Sequence, residues 1–221
     1  IFSSLFINFN SHPYEDAAMT MRYAFNLANG HGIVWNVGEQ PVSGSNDFLF
    51  ITIVGGLKFI GLSIESAVLS VNIFSFVLIL FLLYYALNKI FNAGILATLF
   101  VCLFFIFSPI LFISSAYFGT VFFSLFVLST WILALNIIIK GKKNRSYFWL
   151  FSISSLLMGM SRAEGCIIAL FMFISLLFSL NRKQIKDLFI IFTFIFLFFG
   201  GAYLIWRWNY FGYLFPNPFY I

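Results

Sequence analysis

Apolar residues run along this chain in long blocks separated by short polar stretches. The blocks lie at about 48–62, 67–88, 93–113, 117–139, 147–161, 165–180 and 187–206, and another occupies 1–9. A straight membrane-spanning helix needs about 20 apolar residues, with a floor near 17. The blocks at 48–62, 147–161 and 165–180 are short by that measure. They either borrow flanking residues or form broken or re-entrant segments. The pattern predicts an all-α fold, a polytopic transmembrane helical bundle.

The longest polar stretch, 10–47, holds four of the seven acidic residues. Glu15 and Asp16 open a helix-like run that continues to Ala28, and acidic residues suit a helix start. Met21, Ala24, Phe25 and Ala28 recur at helical spacing and predict an apolar face. Gly30, His31 and Gly32 supply a stop. The expectation is a short amphipathic helix lying in the membrane interface. His31 reads as a turn residue and His12 as a solvated loop residue.

Composition strengthens the membrane reading. Hydrophobic residues make up 62% of the chain and charged residues 9%, where an ordinary soluble domain carries about 25% charge. Thirty-four of the residues are Phe, which both lipid-facing and helix-packing positions accept. Cys102 and Cys166 both fall in apolar blocks, which predicts buried membrane residues, not a disulfide or metal site. The chain opens on Ile1 within an apolar block and closes just after an aromatic stretch, so it is expected to be a fragment.

The net charge of +5 sits in loops. Lys140, Lys142, Lys143 and Arg145 form one cluster, and Arg182, Lys183 and Lys186 another. Such clusters beside apolar blocks mark the cytoplasmic side, and beside so much membrane sequence they do not suggest a nucleic-acid partner. With both inside, 147–180 leaves and returns, which places the turn at 161–165 outside. The 207–221 stretch and the 114–120 region are then outside as well. For the 10–47 loop to share that side, an even number of crossings must separate it from Tyr117. Three blocks intervene, so 48–62 is expected not to cross fully.

Three polar elements carry candidate chemistry. The first is the Glu15–Asp16 carboxylate pair, whose bland reading is helix capping. The second is Ser161, Arg162, Ala163, Glu164 and Gly165, which interrupts two nearly continuous apolar blocks. Ionisable residues there are costly and functional by default. A salt bridge between Arg162 and Glu164 is the bland alternative. Arg162 suits bidentate contact with an anionic lipid phosphate. The third is the aromatic stretch from Trp206 to Tyr220, with Arg207; its bland reading, like that of Trp35, is an interface belt. A carboxylate within reach can act as general base on a hydroxyl, and cations can hold a leaving phosphate. Such a set suits transfer of a sugar from a phosphate lipid to an alcohol. A carboxylate pair can also bind Mg²⁺ or Ca²⁺, but two acids are no specific metal signature, and no metal site is assigned.

Several of these residues resemble a known family. Glu15-Asp16, Arg22-Tyr23-Ala24, Asn26-Leu27-Ala28, Gly30-His31-Gly32, Val34-Trp35-Asn36 and Gly38-Glu39 resemble the first external loop of bacterial GT-C superfamily glycosyltransferases. The nearest likeness is to arabinofuranosyltransferase-like membrane proteins. The sequence from Pro41 to Leu49 resembles that family's entry into its next membrane segment. Ser161-Arg162-Ala163-Glu164-Gly165 is similar to its Thr-Arg-Pro-Glu-Gly turn, and the stretch from Tyr210 to Asn217 to its Tyr-Tyr-Gly-Asp-x-x-Pro-Asn loop. Glu15 stands where the family has its first Asp, Ala163 where it has Pro, and Tyr213 where it has Asp.

The resemblance implies a GT-C-like fold spanning 1–221. The parts would be an external catalytic loop at 10–47, transmembrane helices over 48–206 and an external aromatic loop at 207–221. It implies an inverting transfer from a polyprenyl-phosphate sugar to a hydroxyl of a glycan, lipid or protein. The setting would be the outer face of a bacterial cytoplasmic membrane. Asp16 or Glu15 would be the general base. Arg22, His31, Trp35, Glu39, Arg162, Glu164, Arg207, Tyr210 and Asn217 would bind substrate, with Arg162 and Arg207 on the lipid phosphate. The alternatives are a transporter or lipid-linked-sugar flippase, which would place ionisable residues near mid-span, and a structural subunit without catalysis.

Overall fold

The computed structural model describes residues 14–107 and 116–213. These residues are helical, with no strand among them. They divide into two compact units, the first running to Leu125 and the second beginning at Phe126.

The first unit starts with α1 (Glu15–Ala28), whose first turn is acidic and whose end is followed by Gly30 and Gly32 at φ +80° and +82°. Those positive angles are where glycine is favoured over other residues. A loop leads to α2 (Phe48–Phe59) and then α3 (Ile64–Tyr85). Ser63 caps α3, its Oγ accepting from the Ser66 N–H at 3.1 Å. Five more residues, Ala86–Ile90, extend α3 with a wider turn, in which the Phe91 N–H reaches back five residues to the Ala86 carbonyl at 3.0 Å. Next comes α4 (Ile95–Ile106). The start of α5 (Thr120–Ile138) also belongs to this unit.

Small residues let these helices approach closely. A Cβ built on Gly55 in α2 would lie 3.1 Å from the Ala24 carbonyl oxygen in α1. Ala17, Met21 and Ala24 of α1, Phe50, Ile51 and Val54 of α2, and Ala67, Val68 and Val71 of α3 are buried. Phe50 stacks obliquely on Phe122 with ring centres 5.7 Å apart.

The second unit holds the rest of α5, then α6 (Arg145–Ser161), α7 (Glu164–Leu177) and α8 (Arg182–Ile195). A wider turn at Phe196–Gly200 joins α8 to α9 (Gly201–Phe211) without a break. Its core packs Ala134 and Ile137 with Phe148, Phe151, Phe173, Leu176 and Leu188. Hydroxyls cross the same interior: Thr130 of α5 and Ser154 of α6 are hydrogen-bonded at 2.8 Å, both buried. Small polar pairs of this kind join helices where lipid offers no hydrophobic contrast.

Three of the described helices are long and apolar enough to cross a membrane: Ile64–Ile90, Thr120–Ile138 and Arg182–Phe211. The chain is thus compatible with a membrane protein. The 12 residues of α2 extend only about 18 Å, well short of a ~30 Å hydrocarbon core. Two details depart from the sequence reading. Cys166 is exposed and Cys102 half-buried, so neither is enclosed by protein. The last helix also continues through Phe211, ending where Gly212 turns left-handed at φ +77°. Arg207 and Tyr210 therefore lie on a helical turn, not in a loop. The expected 1–9 span, His12, part of the 114–120 region and Asn217 lie outside the described residues.

Candidate functional site

In the first unit the loop after α1 is fastened back onto that helix. Arg22 is the main fastener. Its Nε donates to the Trp35 carbonyl at 2.8 Å and its Nη2 to Asn36 Oδ1 at 2.7 Å. The guanidinium lies 4.2 Å from the centre of the Trp35 ring, within cation–π range. Asn36 passes the connection on, its Nδ2 donating to Glu39 Oε2 at 2.8 Å.

One turn further along α1, buried Asn26 donates to the Val34 carbonyl at 2.8 Å and to that of Trp35 at 3.2 Å. Tyr23 ties down the loop's other limb. Its hydroxyl donates to the Val42 carbonyl at 2.7 Å and accepts from the Gly44 N–H at 3.1 Å. Burial pushes the Tyr23 phenol above its ordinary pKa, against the smaller opposing pulls of the Gly44 hydrogen bond and the Arg22 charge. A side chain on Gly44 would meet the Tyr23 hydroxyl at 2.9 Å, so the close approach needs glycine.

The structure therefore brings Arg22, Trp35 and Glu39 together, but as a scaffold holding the loop. Tyr23, Asn26 and Asn36 complete it, and sequence reasoning did not single these out as site residues. Asn26 had a visible signal: a polar residue on the helix face that also carries Tyr23. His31 is exposed between its two positive-φ glycines, with its main-chain N–H donating to the Asn26 carbonyl at 3.0 Å.

Glu15 and Asp16 occupy the first turn of α1 and are exposed. Among the described residues neither carboxylate makes a hydrogen bond or ion pair. The pair thus stands at the positive end of a helix, on a base that Arg22, Tyr23 and Asn26 make rigid. No group of three or more metal-ligating side chains occurs among the described residues.

In the second unit the 161–165 turn joins α6 to α7. Arg162 is extended, at φ −150° and ψ 143°, and its carbonyl accepts from the Gly165 N–H at 2.9 Å. Arg162 Nη2 and Glu164 Oε1 are 3.5 Å apart, a loose pair with both side chains partly exposed. Such a pair contributes on the order of 0–1 kcal/mol. It places both groups together on the turn without burying either. Gly165 is buried, and a Cβ there would collide with the Met158 main chain.

Arg207 behaves differently. It is only 4% exposed although it sits near the end of an apolar helix. Its Nη1 donates to the Tyr203 hydroxyl at 3.3 Å, and its guanidinium lies 5.2 Å from the centre of the Phe211 ring. Tyr203, Trp206 and Tyr210 stack in series beside it, with ring centres 6.1 and 5.2 Å apart. The acidic pair belongs to the first unit, and Arg162, Glu164, Arg207 and Tyr210 to the second.

The sequence matches no family model, no curated protein and no solved structure.

Proposed function

We propose that this chain is a GT-C-type membrane glycosyltransferase, transferring a sugar from a polyprenyl-phosphate donor to a hydroxyl acceptor at the outer face of the cytoplasmic membrane. The observation that carries this reading is the Glu15–Asp16 pair: two adjacent, exposed carboxylates without partners among the described residues, on a helix start whose loop is pinned by six side chains. A structural acid would ordinarily be engaged; a general base has to be available to its substrate. Three membrane-length apolar helices beside this loop suit a lipid-borne donor.

In the proposed reaction the acceptor hydroxyl oxygen attacks the anomeric carbon from the face opposite the phosphate. The bond from that carbon to the phosphate oxygen breaks, and polyprenyl phosphate leaves with the electron pair. Asp16 or Glu15 takes the hydroxyl proton. Arg162 and Arg207 would offset the charge growing on the leaving phosphate. This last assignment requires the two units to face a common cavity. The exposure of Arg162 on its turn and the placing of Arg207 at a helix end favour surface chemistry over a mid-span transport path.

The test is transfer from a polyprenyl-phosphate sugar by membranes carrying Glu15→Gln or Asp16→Asn. Loss of the base should slow transfer by about 10²–10⁴-fold. If both variants transfer at the unaltered rate, neither acid is the base and the enzymatic reading fails.

A further inference from the structure

Seven of the twelve basic residues lie in two short segments of the second unit, 140–145 and 182–186. The fold joins these segments around one cleft of about 400 Å³. Lys143, Asn144, Arg145, Asn181, Lys183 and Asp187 line it. Three cations against one carboxylate leave two net positive charges on its walls.

The backbone adds to this field. Both α6 and α8 begin at the cleft, so two positive helix ends open into it. Each start is fixed by an asparagine: Asn144 Oδ1 accepts from the Tyr147 N–H at 3.1 Å, and Asn181 Oδ1 from the Gln184 N–H at 3.0 Å. Lys143 braces the cleft, its Nζ donating to the Ser179 carbonyl at 2.7 Å. Arg145 and Asp187 pair at 2.8 Å across it. That single carboxylate engages Arg145, so among the described residues Lys183 keeps its ammonium free of a direct ion pair.

The cleft also lies at a defined level. The apolar helix Thr120–Ile138 ends just before it and Arg182–Phe211 begins at it. Two membrane-length helices thus terminate where this charge gathers. One to two turns into α6 and α8, Trp149, Leu150, Phe189 and Ile190 are exposed. A ligand with an anionic head and apolar tails would satisfy both surfaces, whereas a free anion would use only the first.

We propose that this cleft is a binding site for the phosphate headgroup of an acidic phospholipid, whose acyl chains lie along the exposed apolar faces of α6 and α8. The site is independent of the proposed transfer reaction, since none of its residues belongs to that chemistry. Basic pockets at the ends of membrane helices recognise anionic headgroups in this way, each Lys or Arg near the surface contributing a comparable electrostatic increment.

The experiment is native mass spectrometry of the full chain released from micelles containing equal amounts of phosphatidylglycerol and phosphatidylcholine. Phosphatidylglycerol should be retained preferentially. Lys183→Gln should lower that retention roughly fivefold. Lys183→Arg should keep it, as should Lys89→Gln, which removes a cation outside the cleft. Equal retention of the two lipids would overturn the proposal, as would an unchanged preference in Lys183→Gln. A third arm adds inorganic phosphate. If it displaces the lipid where sodium chloride of the same ionic strength does not, the cleft takes a soluble phosphate and the lipid assignment is wrong.

Discussion

The Arg22 guanidinium covers the Trp35 ring at 4.2 Å while its Nε donates to the carbonyl of that same residue at 2.8 Å. One side chain thus fixes both the ring and the backbone of a residue thirteen positions away. Lysine keeps the charge but loses the planar fork. Arg22→Lys should therefore loosen the loop at a cost of about 1 kcal/mol. The measurement is limited proteolysis within 29–47: faster cleavage is expected, and an unchanged rate would mean that Arg22 does not hold the loop.

Tyr23 provides a pH test. Burial raises its pKa, so the folded chain favours the neutral phenol. Its stabilising contribution is complete below the ordinary tyrosine value near 10 and is lost as pH rises through the higher folded value. The loop should therefore loosen only in strong alkali, in step with tyrosinate absorbance. Tyr23→Phe should remove that alkaline step and, by leaving the Val42 carbonyl and Gly44 N–H without the hydroxyl, cost on the order of 1–3 kcal/mol at neutral pH. An alkaline step that survives in Tyr23→Phe would assign it to another group.

Gly165 separates packing from propensity. A Cβ there meets the Met158 main chain, which cannot swing aside as a side chain can. Gly165→Ala should force α6 and α7 apart at a cost of about 1–3 kcal/mol. Gly201→Ala meets nothing within 4 Å and should be neutral or slightly stabilising through helix propensity. Thermal unfolding in detergent compares the two. Equal midpoints would show that the α6–α7 turn is looser than described.

Thr130 and Ser154 should couple. Thr130→Val keeps the shape and removes the 2.8 Å bond to Ser154. Hydroxyl pairs between membrane helices average about 0.6 kcal/mol, so a double-mutant cycle with Ser154→Ala should give a coupling of that order. Strict additivity would mean that the bond adds nothing to the α5–α6 contact.

The α1 boundaries were legible because local chemistry sets them: acids at the first turn, glycines at positive φ after the last. Its buried face was legible only in part. Periodicity pointed to Met21, Ala24, Phe25 and Ala28, yet Ala17, Thr20, Met21, Tyr23, Ala24 and Asn26 are buried while Phe25 is 46% exposed. Asn26 can be buried because a carbonyl eight residues later meets its amide, and hydropathy alone holds no record of that partner. The same limit applied to Arg207. Its aromatic surroundings suggested an interfacial loop, whereas Tyr203, one helical turn back, lets the guanidinium pack inside a continuing helix. The Arg162–Glu164 pair was foreseen as the bland alternative, and the two groups do meet, loosely.

The widened turn at Phe196–Gly200 sets the rotational phase of everything after it. One surplus residue in a helix turns the following side chains by about 100°. The direction in which Arg207 and its aromatic ladder point is therefore fixed by a count of residues upstream, not by their own identity. Deleting a single residue between 196 and 200 would leave every later side chain unchanged in kind and aim it a quarter-turn or more elsewhere. Insertions and deletions there, more than substitutions, are the changes this end of the molecule should tolerate least.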